Sequence, residues 1–192
     1  MRSAGAGITS QSQSTTVPTN YKSFYSLKIR GKASVTTVNI GQRLEANLIR
    51  RLRRQLVFSA WIYNDTGGAF TPKLQIVTPT ASDTWSGVNV AALDQALSSC
   101  ANGAWTRVCF SFDPTAYTDI VNGAELSIQI PSGSLDADTK YVYVTQFQLE
   151  EGRLVTDFDV VEGALRFANS QVASNQVVTR IVSEGYLAQR SL

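Results

Sequence analysis

The chain has 192 residues, 43% of them hydrophobic and 17% charged, and a formal net charge of +2 at pH 7. It is long enough for one domain with a buried core, with or without tails. Because proteins that bind phosphate backbones usually carry a larger positive excess, nucleic acid is not an expected partner.

The N-terminal residues 1–20 are rich in Ser, Thr, Gly and Gln and contain almost no large apolar side chains. This composition predicts a polar arm that cannot bury enough surface to order itself. Such an arm is held in place either by a neighbouring subunit or by the body of its own domain. From residue 21 onward the pattern changes to short strands, first in "SFYSLKIRG" and then in the β-branched run "ASVTTVNI".

A helix and a strong strand are predicted next. In "QRLEANLIRRL", Leu44, Leu48 and Leu52 recur every four residues, which places them on one helix face. The following run "QLVFSAWIYN" is the strongest strand signal in the chain, and it ends at the turn signal "NDTGG". A further strand in "FTPKLQIVT" is predicted at a sheet edge, because Pro72 lacks a backbone donor.

The second half of the chain begins with a long polar connection, residues 80–104, in which "NVAALDQAL" predicts a short helix. Strands follow in "WTRVCFSFD", "AELSIQIPSG" and "KYVYVTQFQLEEG". Alternation in the last strand places five side chains on one side: Tyr141, Tyr143, Thr145, Phe147 and Leu149.

These elements predict an all-β fold, an antiparallel jelly-roll β-sandwich of six to eight short strands with one or two short helices. The sandwich is predicted to span residues 21–160 and to carry extended N- and C-terminal arms. Residues 161–192 are too few for a core of their own, so they are interpreted as a C-terminal extension that contacts a partner.

Three blocks occur in a fixed order: "QRLEANLIRRLRRQLVFSAWIYND", the strand from Trp105 to Phe112, and "QLEEGRLVTDF" from Gln148 to Phe158. In this order they resemble carbohydrate-binding-module-like jelly-roll domains of tailed-phage virion proteins, notably tail fibres of the receptor-binding type. The closing block is the most specific of the three. Two features depart from the family pattern: Ala60 replaces a large apolar residue, and the loop before its strand is more basic than usual.

The resemblance implies a non-enzymatic structural component of a tailed-bacteriophage virion, either tail-fibre or tail-associated, or a capsid decoration. It also implies contact with other virion proteins and a homo-oligomer, with a trimer favoured. The protein would be assembled in the host cytoplasm and reside in the phage particle. Because some members resemble modules that bind glycans, the alternative function is a glycan-binding module that recognises a host-surface glycan.

A cluster of basic residues accompanies the predicted helix. Cations on the polar side and at the C-terminal end of such a helix interact favourably with its dipole. Arginine also pairs bidentately with carboxylates of neighbouring subunits. We therefore predict that these side chains are solvated or lie at a subunit interface, the alternatives being contact with a glycan or anionic surface, or with nucleic acid. The interface candidates are Arg43, Arg50, Arg51, Arg53 and Arg54.

Glycan binding requires presented aromatic rings with hydrogen-bonding side chains around them. Alternation places Trp61 and Tyr63 on one face of their strand, and the alternative for Trp61 is packing beneath the leucine-faced helix. Trp85 lies in a polar loop and is predicted to be the best-exposed ring, with a role as core lid or interface anchor as the alternative. The glycan-binding candidates are Trp61, Tyr63, Trp85 and Trp105.

Catalytic residues, a metal site and a cofactor are not predicted. The chain contains no histidine, which removes the commonest general base and metal ligand, and no nucleophile motif or phosphate loop occurs. Carboxylates are present, but no spacing singles out a glycosidase pair, and those in "SGSLDADTK" and "NDTGG" are predicted to form turns rather than to bind calcium.

Membrane insertion is not predicted either, because no run of about 18 apolar residues occurs. Residues 1–20 also lack the apolar region of a signal peptide. Cys100 and Cys109 form no CxxC motif, and we predict two free thiols, with one disulfide as the alternative.

Overall fold

The fold is known from a computed structural model that describes residues 2–4, 10–19, 23–52 and 54–158. Within these ranges the chain forms ten strands, one four-residue helix and two 3₁₀ turns. The strands are β1 (Arg2–Ala4), β2 (Ser10–Ser14), β3 (Ser26–Arg30), β4 (Val38–Glu45), β5 (Leu56–Asp65), β6 (Lys73–Ala81), β7 (Thr84–Ala96), β8 (Trp105–Phe112), β9 (Gly123–Ile130) and β10 (Tyr141–Glu151). The helix α1 is Ala46–Ile49, and the 3₁₀ turns are Pro114–Ala116 and Thr118–Asn122.

The strands form two five-stranded antiparallel sheets. The first sheet has the order β1-β4-β9-β6-β7 and the second has the order β2-β3-β10-β5-β8. The inner faces carry branched aliphatic and phenylalanine side chains that form one core between the sheets. Fully buried members include Ile40, Ile76 and Ile128 from the first sheet and Ile29 and Ile62 from the second. This architecture confirms the predicted antiparallel β-sandwich.

The described N-terminal residues add one strand to each sheet. Strand β1 pairs with β4 in the first sheet, and β2 pairs with β3 in the second. The side chains of β2 are almost all exposed, as expected for an edge strand that covers no core. Arg2–Ala4 and Ser10–Ser14 of the predicted arm therefore pair with strands of the domain itself. The predicted C-terminal extension, residues 161–192, lies outside the described residues.

The helix predicted over residues 42–52 is wrong in its extent. Gln42–Glu45 belong to β4 and pair with Gly123–Leu126 of β9, so only Ala46–Ile49 are helical. Leu44 satisfies both patterns, because it faces the core from a strand as well as it would from a helix. The leucine period alone does not distinguish the two, and pairing with a distant strand decides the outcome.

Two further predictions in the middle of the chain are also wrong. Strand β6 lies inside the first sheet, between β9 and β7, whereas Pro72 had suggested an edge. Pro72 only precedes the strand, where its missing donor costs nothing. The segment expected to be a polar connection with a helix forms the long strand β7, because it pairs along β6, with Leu93 opposite Ile76.

Strand β10 changes faces partway along. A register shift between Thr145 and Gln148 marks a β-bulge, and Gln146 adopts φ +53° there. Before the bulge Val142 and Val144 face the core; after it, Phe147 does. The prediction that five alternating residues share one side is therefore wrong, because the extra residue reverses the alternation.

Candidate functional site

The outer face of the second sheet carries a row of aromatic side chains. Tyr143 of β10 pairs with Tyr63 of β5, which pairs with Trp105 of β8. On the other side, Tyr143 pairs with Lys28 of β3. Because directly paired residues in antiparallel strands share a face, the four side chains form one line across four strands. Core residues alternate with them, so this line faces away from the core.

The rings in this row contact one another. The centroid of Tyr63 lies 5.5 Å from that of Trp105 and 5.6 Å from that of Tyr143, the latter with an edge-to-face angle of 75°. The ammonium of Lys28 lies 4.1 Å from the Tyr141 centroid and 5.5 Å from that of Tyr143. These contacts fix the ring orientations through aromatic and cation–π interactions.

Trp61 lies in the next row of the same face, between Thr145 of β10 and Arg107 of β8. The alternative in which Trp61 packs beneath the leucine-faced segment is wrong, because β5 faces the core with Phe58 and Ile62 instead. We call the set Trp61, Tyr63, Trp105, Tyr141 and Tyr143 the aromatic face.

The aromatic face includes three of the four predicted glycan candidates, and Trp85 lies elsewhere. Trp85 belongs to β7 in the first sheet and is half-buried, so it is not an exposed loop ring. The guanidinium carbon of Arg43 lies 4.3 Å from its centroid, and Arg43 Nε donates to Glu125 at 2.6 Å. Sequence reasoning missed Tyr141 and Tyr143, although alternation in "KYVYV" with Val142 in the core was the signal that marked them.

The predicted arginine cluster does not surround a helix. Arg43 lies on β4, whereas Arg50 follows α1 directly, and its Nε donates to the Val121 carbonyl at 2.7 Å. Arg50 therefore ties the end of the short helix to a 3₁₀ turn. The remaining members are Arg51 and Arg54, which are exposed, and Arg53, which lies outside the described residues.

Residues 152–158, which we call the closing segment, cover the part of the outer face beyond the bulge. Glu150 is buried, and its carboxylate accepts from the backbone N–H of Thr156 at 3.1 Å and from the Thr156 hydroxyl. Gln148 Nε2 donates to the same hydroxyl at 3.3 Å. Phe158 is buried at the end of the segment. The closing block "QLEEGRLVTDF" thus encodes a strand and the segment that folds back over it.

A buried asparagine organises the loop that follows the aromatic strand. Asn64 is fully buried, and its Nδ2 donates to the Gly68 and Cys100 carbonyls, both at 2.8 Å. Its Oδ1 accepts from the backbone N–H and the hydroxyl of Thr66, at 3.0 and 2.7 Å. Because Asn64 adjoins Tyr63 in β5, this network positions one end of the aromatic face.

Two of the carboxylates considered for calcium, Asp136 and Asp138, contact cations of the protein instead. Lys140 Nζ lies 2.7 Å from Asp136, and its hydrogen bond lowers the pKa of that carboxyl. Arg30 lies 3.1 Å from Asp138. In the described ranges, no group of three or more Cys, Asp or Glu side chains is arranged to hold a metal ion.

The two cysteine thiols are free. Cys100 is buried, which raises its pKa to about 11, and Cys109 is exposed. The prediction of two free thiols is confirmed. No helix in the described part of the chain has the length and apolar character needed to cross a bilayer.

Comparisons with known proteins support the fold. No protein-family profile and no curated protein matches the sequence. Among solved structures, one determined to explain the promiscuous specificity of carbohydrate-binding modules from the β-sandwich superfamily matches with a TM-score of 0.53 and 13% identity. The match covers 77% of this chain and 56% of that one. The enzymatically active domain of tailspike protein 4 from bacteriophage CBA120 matches with a TM-score of 0.52 and 13% identity, over 77% and 19%. An exo-β-agarase matches with a TM-score of 0.53 and 10% identity, over 79% and 23%.

The protein therefore has the antiparallel β-sandwich found in carbohydrate-binding modules. It spans about half of the matched module structure and about a fifth of the tailspike and agarase chains. At such low identity these likenesses establish the fold alone.

Proposed function

We propose that the protein binds an oligosaccharide on the aromatic face. The observation that carries this proposal is the pair of half-buried rings Tyr63 and Trp105 on adjacent strands, backed by the buried ring of Tyr143, with the half-buried Trp61 in the neighbouring row. A sugar ring presents C–H bonds on its flat faces, and these pack on aromatic rings as other apolar groups do. The likeness to a carbohydrate-binding module supports the same proposal.

Polar side chains around the rings complete the site. Asp65 pairs with Tyr141 at one end of β5, and Arg30 is on the other side of Tyr141. Sugar hydroxyls need donors and acceptors of this kind at the edge of an apolar platform. A rigid sheet presents both without the ordering cost of a loop.

Alanine substitutions test the proposal. We expect Trp105→Ala to weaken oligosaccharide binding about thirtyfold, the factor that corresponds to ~2 kcal/mol for an aromatic anchor. The matched control is Trp85→Ala, which removes the same ring from the other sheet and should leave affinity unchanged. Glycan-array screening identifies the ligand, and calorimetry measures the Kd. Equal losses in both variants, or no glycan binding by the folded protein, would refute the proposal.

The second proposed function is a non-enzymatic structural role in a tailed-phage particle, on the fibre, the tail or the capsid. The order of the three sequence blocks and the likeness to a tailspike domain support it. In this role the protein is a homo-oligomer, with a trimer expected, that contacts other virion proteins. The two functions are compatible, because a receptor-binding fibre performs both.

Deleting residues 165–192 tests this second role, because the deletion lies outside the described β-sandwich. We expect the shortened protein to fold and to be missing from purified particles. Incorporation at the normal level would contradict the role of this arm. Release of new reducing ends from host glycan would contradict the non-enzymatic assignment.

A further inference from the structure

Two cationic side chains lie at opposite sides of the aromatic face, Lys28 on β3 and Arg107 on β8. Lys28 is at the β3 end, with its ammonium over the Tyr141 ring. Arg107 is at the β8 end, opposite Trp61 and two residues after Trp105, so that both face outward. The row between Lys28 and Trp105 crosses three strand spacings, about 14 Å, which is the length of a short oligosaccharide.

Neither cation has a carboxylate partner in the part of the chain that the structure describes. Two other cations on or beside this sheet are paired: Arg30 with Asp138 at 3.1 Å, and Lys140 with Asp136 at 2.7 Å. Lys28 instead contacts aromatic rings, which neutralise its charge only in part.

Arg107 is the more informative of the two. Its guanidinium donates to the Thr156 carbonyl and, at 3.5 Å, to the Ser59 hydroxyl. Its Nε–H is enclosed and has no acceptor. A half-buried guanidinium next to an indole, with only neutral acceptors, pays a desolvation cost that an anion would offset.

We infer that the ligand of the aromatic face is an acidic oligosaccharide, whose carboxylates bind at Arg107 and Lys28 while its rings pack on the aromatic row. The inference rests on the proposed glycan-binding function and specifies the class of glycan, that of uronic-acid sugars. Arg107 favours a carboxylate over a neutral acceptor because hydrogen bonds from a charged guanidinium to an anion are stronger than those to neutral acceptors.

The test compares oligogalacturonate, oligomannuronate and oligoglucuronate with their methyl esters, which keep the rings and remove the charge. We expect at least one acid to bind about tenfold or more tightly than its ester, as for charge-assisted hydrogen bonds. Lys28→Met and Arg107→Gln should each remove about threefold or more of that preference, so that together they account for it. Arg51→Gln, which removes one positive charge outside the aromatic face, is the matched control. Thermal unfolding checks that Arg107→Gln keeps the closing segment in place, and Lys28→Met tests the site independently of it.

The outcomes separate the inference from the function on which it rests. Equal binding of acids and esters, with Trp105→Ala still weakening both, overturns the acidic preference and leaves glycan binding intact. An equal loss of affinity for the acids in Arg51→Gln and Lys28→Met overturns the assignment of Lys28 and Arg107 to the carboxylates of the ligand. A sulfated oligosaccharide that binds as tightly as the acids overturns carboxylate recognition. No binding of any sugar overturns both proposals.

Discussion

Replacing Asn64 tests whether its buried network holds the loop beside the aromatic face. In Asn64→Ala, four hydrogen bonds of 2.7–3.0 Å disappear. At about 1 kcal/mol net for each bond, the loss of unfolding free energy reaches at most ~4 kcal/mol. The Thr66 N–H keeps a second acceptor in Asn102 at 3.1 Å, and the Cys100 carbonyl keeps the Phe70 N–H at 3.2 Å. We therefore expect a loss of about 3 kcal/mol.

Asn64→Asp separates hydrogen bonding from packing, because the two side chains have nearly the same volume. In the aspartate an oxygen replaces the Nδ2 group and faces the Gly68 and Cys100 carbonyls at about 2.8 Å. Acceptor then meets acceptor, so the variant should be at least as destabilised as Asn64→Ala. Asn102→Ala is the control: its exposed side chain accepts two bonds, and its loss should cost about 1 kcal/mol.

Urea unfolding followed by tryptophan fluorescence measures these differences, with equal m-values as the check on two-state behaviour. An Asn64→Asp variant as stable as the parent would refute the reasoning, because it would show that the donors of Asn64 are not needed. An Asn64→Ala loss below about 0.5 kcal/mol would refute it equally.

Two further predictions concern the closing segment and the thiols. Glu150→Ala should lower the unfolding free energy by about 2–3 kcal/mol, because the backbone N–H and the hydroxyl of Thr156 both lose their carboxylate acceptor. Asp157→Asn, on the exposed side of the segment, should change the unfolding free energy little, and equal losses for the two variants in urea unfolding would contradict the prediction. Ellman's reagent should label Cys109 at pH 8 and leave Cys100 unmodified until unfolding. Labelling of both thiols in the folded protein would contradict the burial of Cys100. Because the pKa of Cys100 rises from 9.0 to about 11 on folding, the contribution of its burial to stability is complete below pH 9 and is lost as the pH rises toward 11.

Local sequence pattern was sufficient where a strand has one buried face. In β5 the alternation of Phe58, Ala60 and Ile62 with Trp61 and Tyr63 predicted both the strand and its two faces. Local pattern was insufficient where the helical and the strand period both fit the same residues, or where the pairing strand is distant in the sequence. The helix-like run in β7 is a strand because β6 pairs with it, and this contact has no local signal.

The candidate site could be predicted only in part for the same reason. Trp61 and Tyr63 were predicted to share one strand face and Trp105 was predicted separately, but their assembly in register depends on which strands are neighbours. Tyr143 joins them only because β10 lies next to β5. The bulge at Gln146 was beyond prediction, because one residue at positive φ reverses the faces without any glycine to mark it.

The position of β10 has a consequence for the order of folding. Strand β3 pairs with β2 shortly before it in the chain, but its other neighbour is β10, near the end of the described residues. Contacts between such distant segments form slowly, since a long loop must close first. Until β10 inserts between β3 and β5, Lys28, Tyr143 and Tyr63 do not face one another. A chain still emerging from the ribosome therefore lacks the proposed binding surface, and under that proposal glycan binding would report that folding is complete.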